Sequence, residues 1–379
     1  MSQSPTVYHG LEAVRRKPGM YIGGTDQRAL NCCVLELIAN SIEEHLAGRG
    51  SLITVAIHDD GSLSVTDEGG GISVAPHSQH QIPFIELALT TLHVPDDYLK
   101  RKYRVLGNCG VGTKCVNAVS EWMQVNTVWE GREYEIKFAL GGIKEPLRQA
   151  PEPRLARGTV IRFKPDPDIF KALTFDRNFL AVRLDQLAVL HAGLSVVLED
   201  ERPNAAGRPL TSLYHYPNGI TDFLKITCLG STWRQAEPIV IRSEADGMRI
   251  TLGFQFTETG NVSIQSFVNS SPTSRGGVHV LGFFKGLADA LNGLTKPSPE
   301  FQPDDLRIDL NAFVAVWLTN PYYGGSTRDE LINPEVESAV RELTVRGVEQ
   351  WAKESCKQAK WLIESLDNVR RAKTDAEQG

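Results

Sequence analysis

Between Leu30 and Leu46, apolar residues recur at every fourth position: Leu30, Val34, Ile38, Ile42 and Leu46. An i, i+4 series of this kind is the core stripe of an amphipathic helix. At about 100° per residue, Glu36, Asn40 and Glu43 fall together on the opposite side. A polar side facing an apolar stripe is ordinarily a solvated surface, and the stretch alone implies no more. The period then shortens. Ile53, Val55 and Ile57 alternate, Asp59-Asp60-Gly61 supplies a turn, and Leu63 and Val65 alternate again. This pattern predicts a β-hairpin whose second strand stops at Asp67.

Further along, helices and strands alternate to about residue 215, and Pro203 to Pro209 forms a loop near the end of that region. A second domain is expected from 216 to 379. Its predicted strands are Pro238–Arg242, Met248–Phe256 and Ala312–Leu318, with a helix over Val278–Leu291. A long helix is expected from about Pro334 to Arg371. Two or three domains suit 379 residues at about 150 residues per domain. No internal repeat or low-complexity tract is present.

Three segments carry candidate chemistry. Glu36, Asn40 and Glu43 lie on one helix side. Asp67 ends a strand and is followed shortly by Gly69, Gly70, Gly71 and then Ile72. A carboxylate there accepts a hydrogen bond from an exocyclic amine, and bare backbone lets a flat ring approach closely. Gly107-Asn108-Cys109-Gly110-Val111-Gly112 leads into a small, apolar run from Val116 to Val119, and its amides suit an anion. Each segment alone reads as an ordinary turn or surface. In this order they supply a base, a metal-binding amide, an acceptor for a purine amine and a phosphate lid. No Gly-x-x-x-x-Gly-Lys-Ser/Thr motif competes for that role.

With these residues in place, the chain resembles the GHKL ATPase superfamily, and within it the gyrase B-type subunits of type IIA topoisomerases. The resemblance begins with Gly10-Leu-Glu-Ala-Val-Arg-Arg-Lys-Pro-Gly-Met-Tyr-Ile-Gly23. It continues through Arg157-Gly-Thr159-Val-Ile-Arg-Phe-Lys-Pro165, Phe267-Val-Asn269, Arg275-Gly-Gly-Val-His279 and Tyr323-Gly-Gly-Ser326-Thr327-Arg328-Asp-Glu-Leu331. It implies an α+β chain: a Bergerat-type ATPase α/β sandwich followed by a ribosomal S5-like transducer domain with a long C-terminal helix. By position, Glu36 would activate the attacking water, and Asn40 would bind Mg²⁺ and phosphate oxygens. Asp67 would read the adenine amine, with Thr159 sharing a water near it. Glu43, Gly69, Gly71, Ile72 and Tyr103 would lie along the nucleotide. Gly107, Asn108, Gly110, Val111 and Gly112 would wrap the phosphates, and Arg328 would reach the γ-phosphate. ATP and Mg²⁺ are the implied cofactors. An ATP-dependent homodimer is the implied assembly, with DNA and a separate cleavage subunit or another effector as partners.

The chain departs from the family pattern at several positions. Ala39 replaces an acid, and Cys32 replaces a histidine. Asp67-Glu-Gly-Gly-Gly71 replaces Asp-Asn-Gly-Arg-Gly, losing an arginine that pairs with an acid at the position of Glu44. The lid is one residue shorter. Ser326-Thr327-Arg328 replaces Gln-Thr-Lys, and Trp129 stands where coumarin-sensitive relatives carry arginine. The segment before Gly10 is short for an arm exchanged between subunits. No cleavage domain follows, so the chain is not expected to cleave DNA alone. Both an excised fragment and a free-standing paralogue fit these features. A nucleotide-binding assembly switch with negligible turnover is the alternative function. Retained Glu36 weighs against that switch, and a histidine kinase lacks its phosphoacceptor domain here.

Charge and cysteine content narrow the field. The net charge is −6, and the short basic clusters at Arg15-Arg16-Lys17 and Arg370-Arg371-Lys373 do not make a dominant nucleic-acid surface. Six cysteines without a Cys-x-x-Cys pair read as reduced cytoplasmic thiols. No signal sequence or membrane-length apolar run is present, so a cytoplasmic protein without a membrane partner is expected.

Overall fold

A computed structural model describes residues 10–92, 105–106, 112–204, 207–229, 232, 234–258, 262–295, 300–325 and 327–378. The chain divides into two compact units, with the change between Pro217 and Asn218.

The first unit opens with helices α1 (Gly10–Arg16), α2 (Gly19–Ile22) and α3 (Gln27–Leu46). Asp26 caps α3 by accepting the Ala29 N–H at 2.9 Å, which satisfies one of the amides a helix start leaves unpaired. The predicted hairpin follows as β1 (Leu52–Ile57) and β2 (Leu63–Asp67). Then come α4 (Phe84–Thr90), α5 (Gly112–Ala118), β3 (Ser120–Trp129), β4 (Arg132–Ala139), β5 (Gly142–Gln149) and β6 (Thr159–Pro165). The unit ends with α6 (Arg177–Leu190), β7 (Ser195–Asp200) and β8 (Leu210–His215). The eight strands form one sheet in the order β5-β4-β3-β6-β2-β1-β7-β8. Within this sheet, β1 and β7 pair in parallel and the other described strand pairs are antiparallel. Burial alternates strictly along β6 and β7, as expected for strands with one face on the core. The helices close that core, where Leu30, Val34, Ile38 and Ile42 of α3 meet Val55, Val125 and Phe163 of the sheet.

Leu46, the fifth member of the predicted stripe, is 48% exposed. A strict i+4 series drifts about 40° per step around a helix, so its end has rotated away from its start. The core arc instead passes through Leu37 and Ser41, both buried.

The second unit contains α7 (Ile220–Thr227), β9 (Ile239–Ala245), β10 (Met248–Phe256), β11 (Ser263–Val268), β12 (Ser271–Pro272), α8 (Val278–Thr295) and β13 (Leu310–Leu318). Its sheet order is β12-β11-β13-β10-β9. The expected long C-terminal helix is two consecutive helices, α9 (Pro334–Glu354) and α10 (Cys356–Gln378). Ser355 interrupts them at φ −129° and ψ 47°, outside the helical region. Beyond the break, Leu362, Ile363 and Leu366 join the core of this unit. Asp309 accepts from buried Arg234 at 2.9 Å, and Arg234 also donates to the Ser365 hydroxyl. The mixed α/β architecture agrees with the expected fold class.

Candidate functional site

The Asp67 carboxylate lies at the end of β2, where sheet register sets its neighbours. Asp67 pairs with Thr159 of β6, and Thr159 pairs with Thr127 of β3. Three adjacent strands therefore present one polar row. Asp67 Oδ1 accepts the Gly69 N–H at 2.9 Å, and Oδ2 accepts the Ser41 hydroxyl at 2.8 Å. The Thr127 and Thr159 hydroxyls are 3.1 Å apart, and Thr127 Oγ1 accepts the Ile72 N–H at 2.8 Å. The glycine turn is thus held at both ends. Gly71, at φ +78°, leaves no room for a side chain, since a Cβ would lie 1.9 Å from the Val128 carbonyl oxygen. Burial pushes the Asp67 carboxyl above its ordinary range and the charge of Glu44 adds to this, while the Gly69 and Ser41 donors oppose it.

On the polar side of α3, Glu36 meets the start of α5. A Cβ at Gly112 would lie 2.0 Å from Glu36 Oε2, so only glycine allows the two helices this approach. The same carboxylate faces a group of thiols. Burial, with a contribution from the Glu36 charge, raises Cys32 and Cys33 and pushes Cys115 up to about 12. One turn on, exposed Asn40 donates from Nδ2 to Thr113 Oγ1 at 2.6 Å. Glu43 is half-buried on the same side. Among the described residues, no cluster of three or more His, Cys, Asp or Glu side chains could hold a metal ion. Neutral oxygen atoms at hand include the Asn40 carboxamide and the Thr113 hydroxyl. They suit a hard cation that takes few protein ligands and completes its shell with phosphate and water.

The structure therefore gathers Glu36, Asn40, Glu43, Asp67, Gly69, Gly71, Ile72, Gly112 and Thr159 in the first unit. Arg328 belongs to the second unit. It sits at φ +58° with its guanidinium 5.6 Å from the centre of the Tyr323 ring. Tyr103, Gly107, Asn108, Gly110 and Val111 lie outside the described residues, as do Ser326 and Cys109. Three arginines of the two basic clusters are engaged within the chain. Arg15 pairs with Asp166 at 2.6 Å, and Arg370 and Arg371 both pair with Asp367. Cys32, Cys33, Cys115, Cys228 and Cys356 form no disulfide among the described residues.

Ser41, Thr113, Thr127 and Arg49 belong to this neighbourhood, although sequence analysis assigns them no role. Ser41 had a legible signal: a hydroxyl on the core arc of α3 needs a buried partner. Thr127 had none, because only the insertion of β6 between β2 and β3 brings it near Asp67.

Two family models match the chain. That of the histidine kinase-, DNA gyrase B- and HSP90-like ATPases covers residues 25–169, and that of DNA gyrase B covers 219–379. The DNA gyrase B protein of Archaeoglobus fulgidus is 36% identical over 98% of the chain, and that of Thermus thermophilus is 35% identical over the same share. The chain spans 59% of the length of either relative. Among solved structures, the 43K ATPase domain of Thermus thermophilus gyrase B, in complex with an aminocoumarin, superposes with a TM-score of 0.83 at 34% identity. That match covers 97% of this chain and 96% of the other. The topoisomerase IV ATP-binding domain of Francisella tularensis, in complex with a small-molecule inhibitor, gives 0.74 at 27% identity, covering 96% and 98%. No helix among the described residues is long and apolar enough to cross a membrane.

Proposed function

The chain belongs to the gyrase B-type branch of the GHKL ATPases, and from that premise we propose that its first unit binds ATP with Mg²⁺ along the polar side of α3 and hydrolyses it to drive a dimerising clamp. The observation that carries this reading is the Asp67 carboxylate. It is an acceptor-only group, held by a backbone amide and a hydroxyl beside a turn of bare backbone. An adenine amine complements it, whereas a guanine carbonyl at the same position opposes it.

Glu36 is the general base in this proposal. It takes a proton from water as the water oxygen bonds to the γ-phosphorus and the β–γ bridging bond breaks, leaving ADP and inorganic phosphate. Mg²⁺ would neutralise charge on the phosphate oxygens, held by Asn40 through its carboxamide oxygen with Thr113 steadying that amide. Gly112 keeps α5 close to Glu36, which fixes the direction of the carboxylate. Positioning and charge stabilisation supply most of the catalysis in phosphoryl transfer. Arg328 is assigned to the γ-phosphate, so that nucleotide state biases the clamp. A DNA-associated machine and a separate cleavage subunit or other effector are the proposed partners.

Sedimentation of the purified protein tests the clamp. With Mg²⁺ and a non-hydrolysable ATP analogue, the mass is expected to shift from monomer toward dimer, and less so for Arg328→Ala. A mass that the analogue leaves unchanged up to high protein concentration removes the clamp.

A further inference from the structure

Glu44, one turn after Asn40 on α3, makes three contacts that bear on the glycine turn. Its Oε2 accepts the Gly70 N–H at 2.8 Å and the Arg49 Nε–H at 2.7 Å, and its Oε1 accepts from Arg49 Nη2 at 2.7 Å. Consecutive amides of the turn thus have separate carboxylate partners: Gly69 donates to Asp67 and Gly70 to Glu44. Arg49 closes the pattern as a fork over both Glu44 oxygens, the geometry that makes arginine–carboxylate pairs directional. Its backbone is fixed too. The Arg49 N–H donates to the Glu44 carbonyl at 2.9 Å, and at Gly50, φ +105°, a Cβ would lie 2.8 Å from the Glu68 carbonyl oxygen.

Without Arg49, Glu44 would be an unneutralised charge beside Asp67. The Glu44 charge already works to raise Asp67. Burial would raise the Glu44 carboxyl as well, but the Arg49 fork and the Gly70 amide outweigh it and hold that carboxyl below its ordinary value.

We propose that Arg49 is a positioning residue for nucleotide binding: through Glu44 it fixes the Gly69–Gly71 turn and shields Asp67 from a second carboxylate, in place of a side chain at position 70. The geometry makes the two positions alternatives. A Cβ at Gly70 would lie 3.0 Å from Arg49 Cδ and 3.1 Å from its Nε, and 3.4 Å from Glu44 Oε2. Gly70 is not among the residues with positive φ, so its backbone accepts a side chain. An arginine at 70 therefore competes with Arg49 for one space and one carboxylate, and fits once Arg49 is gone. This inference rests on the reading of Asp67 as the nucleotide's acceptor.

The test is a double-mutant cycle on the whole chain, read by calorimetry with a non-hydrolysable ATP analogue and by the melting temperature of the free protein. Arg49 is 52% exposed, so Arg49→Ala should stay folded and bind about fivefold more weakly, the upper range for a partly exposed pair. Gly70→Arg alone should bind more weakly than the parent. Combining them should return affinity to within about twofold of the parent, the non-additivity expected when two residues share one partner. Unchanged affinity in Arg49→Ala overturns the proposal. So does a folded double mutant that binds no better than Arg49→Ala. A parent chain that binds no analogue at all contradicts the proposed function instead.

Discussion

At the Asp67 end of the site, the carboxylate is half-buried, both of its oxygens have protein donors, and its turn is pinned by Thr127 and Glu44. At the Asn40 end, the amide is exposed and its one described side-chain contact is Thr113. The first arrangement is held by the protein's own hydrogen bonds, which leaves it little freedom to lose on binding. The second leaves oxygen atoms turned toward water, where phosphate and a cation can supply the missing contacts. In the proposed function, base selection and phosphate chemistry would therefore rest on different physics: hydrogen bonding preorganised by the protein at the Asp67 end, and electrostatics completed by the ligand at the Asn40 end.

That contrast predicts that substitutions at the two ends fail differently. Glu36→Ala gives the largest effect. Turnover should fall by at least about 100-fold, within the range for a positioned general base, while ATP affinity stays near that of the parent. A steady-state assay with a parallel binding titration checks this, and hydrolysis at the parental rate assigns the role elsewhere. Asp67→Asn should instead act on binding, weakening ATP by about 1–3 kcal/mol, the usual penalty for a mismatched buried polar group.

Asp67→Asn should also change the stability of the free protein. Because the folded Asp67 carboxyl is raised above its unfolded value, its favourable contribution to folding is present at low pH and is lost as pH rises through the folded pKa. At pH 7 the ionised group is a cost that asparagine lacks. Free Asp67→Asn should therefore melt on the order of a degree or two above the parent at pH 7, and the gap should close as pH falls toward the carboxylate range. A melting temperature well below the parent's at pH 7 would show that ionised Asp67 stabilises the free fold. The smallest signal is expected from an aminocoumarin. Trp129, half-buried at the end of β3, offers one indole donor where sensitive relatives have an arginine fork. The ligand should barely shift the melting curve, and Trp129→Arg should enlarge the shift.

Local periodicity made much of this molecule legible. The β1–β2 hairpin, the helical side shared by Glu36, Asn40 and Glu43, and β10 all follow from repeats within a few residues. Long-range register did not. Nothing near Asp67 announces that β6 will lie beside β2, or that Thr127 of β3 will accept the Ile72 amide. The missing arginine was legible as an absence at Gly70, yet its replacement on the loop after α3 was not, because Arg49 reaches Glu44 only once that loop is folded. The turned end of the α3 stripe and the break at Ser355 were not legible either: a linear stripe of apolar residues reports that a helix packs, but not how its buried face rotates or where its backbone is interrupted.

The proposed role of Asp67 in selecting an adenine nucleotide is decided by titrating ATP and GTP into the unmodified chain by calorimetry with Mg²⁺ present. Binding of ATP with GTP rejected by at least about tenfold is the predicted result, since a guanine carbonyl would face the carboxylate without a proton between them. Equal affinity for the two nucleotides would contradict it.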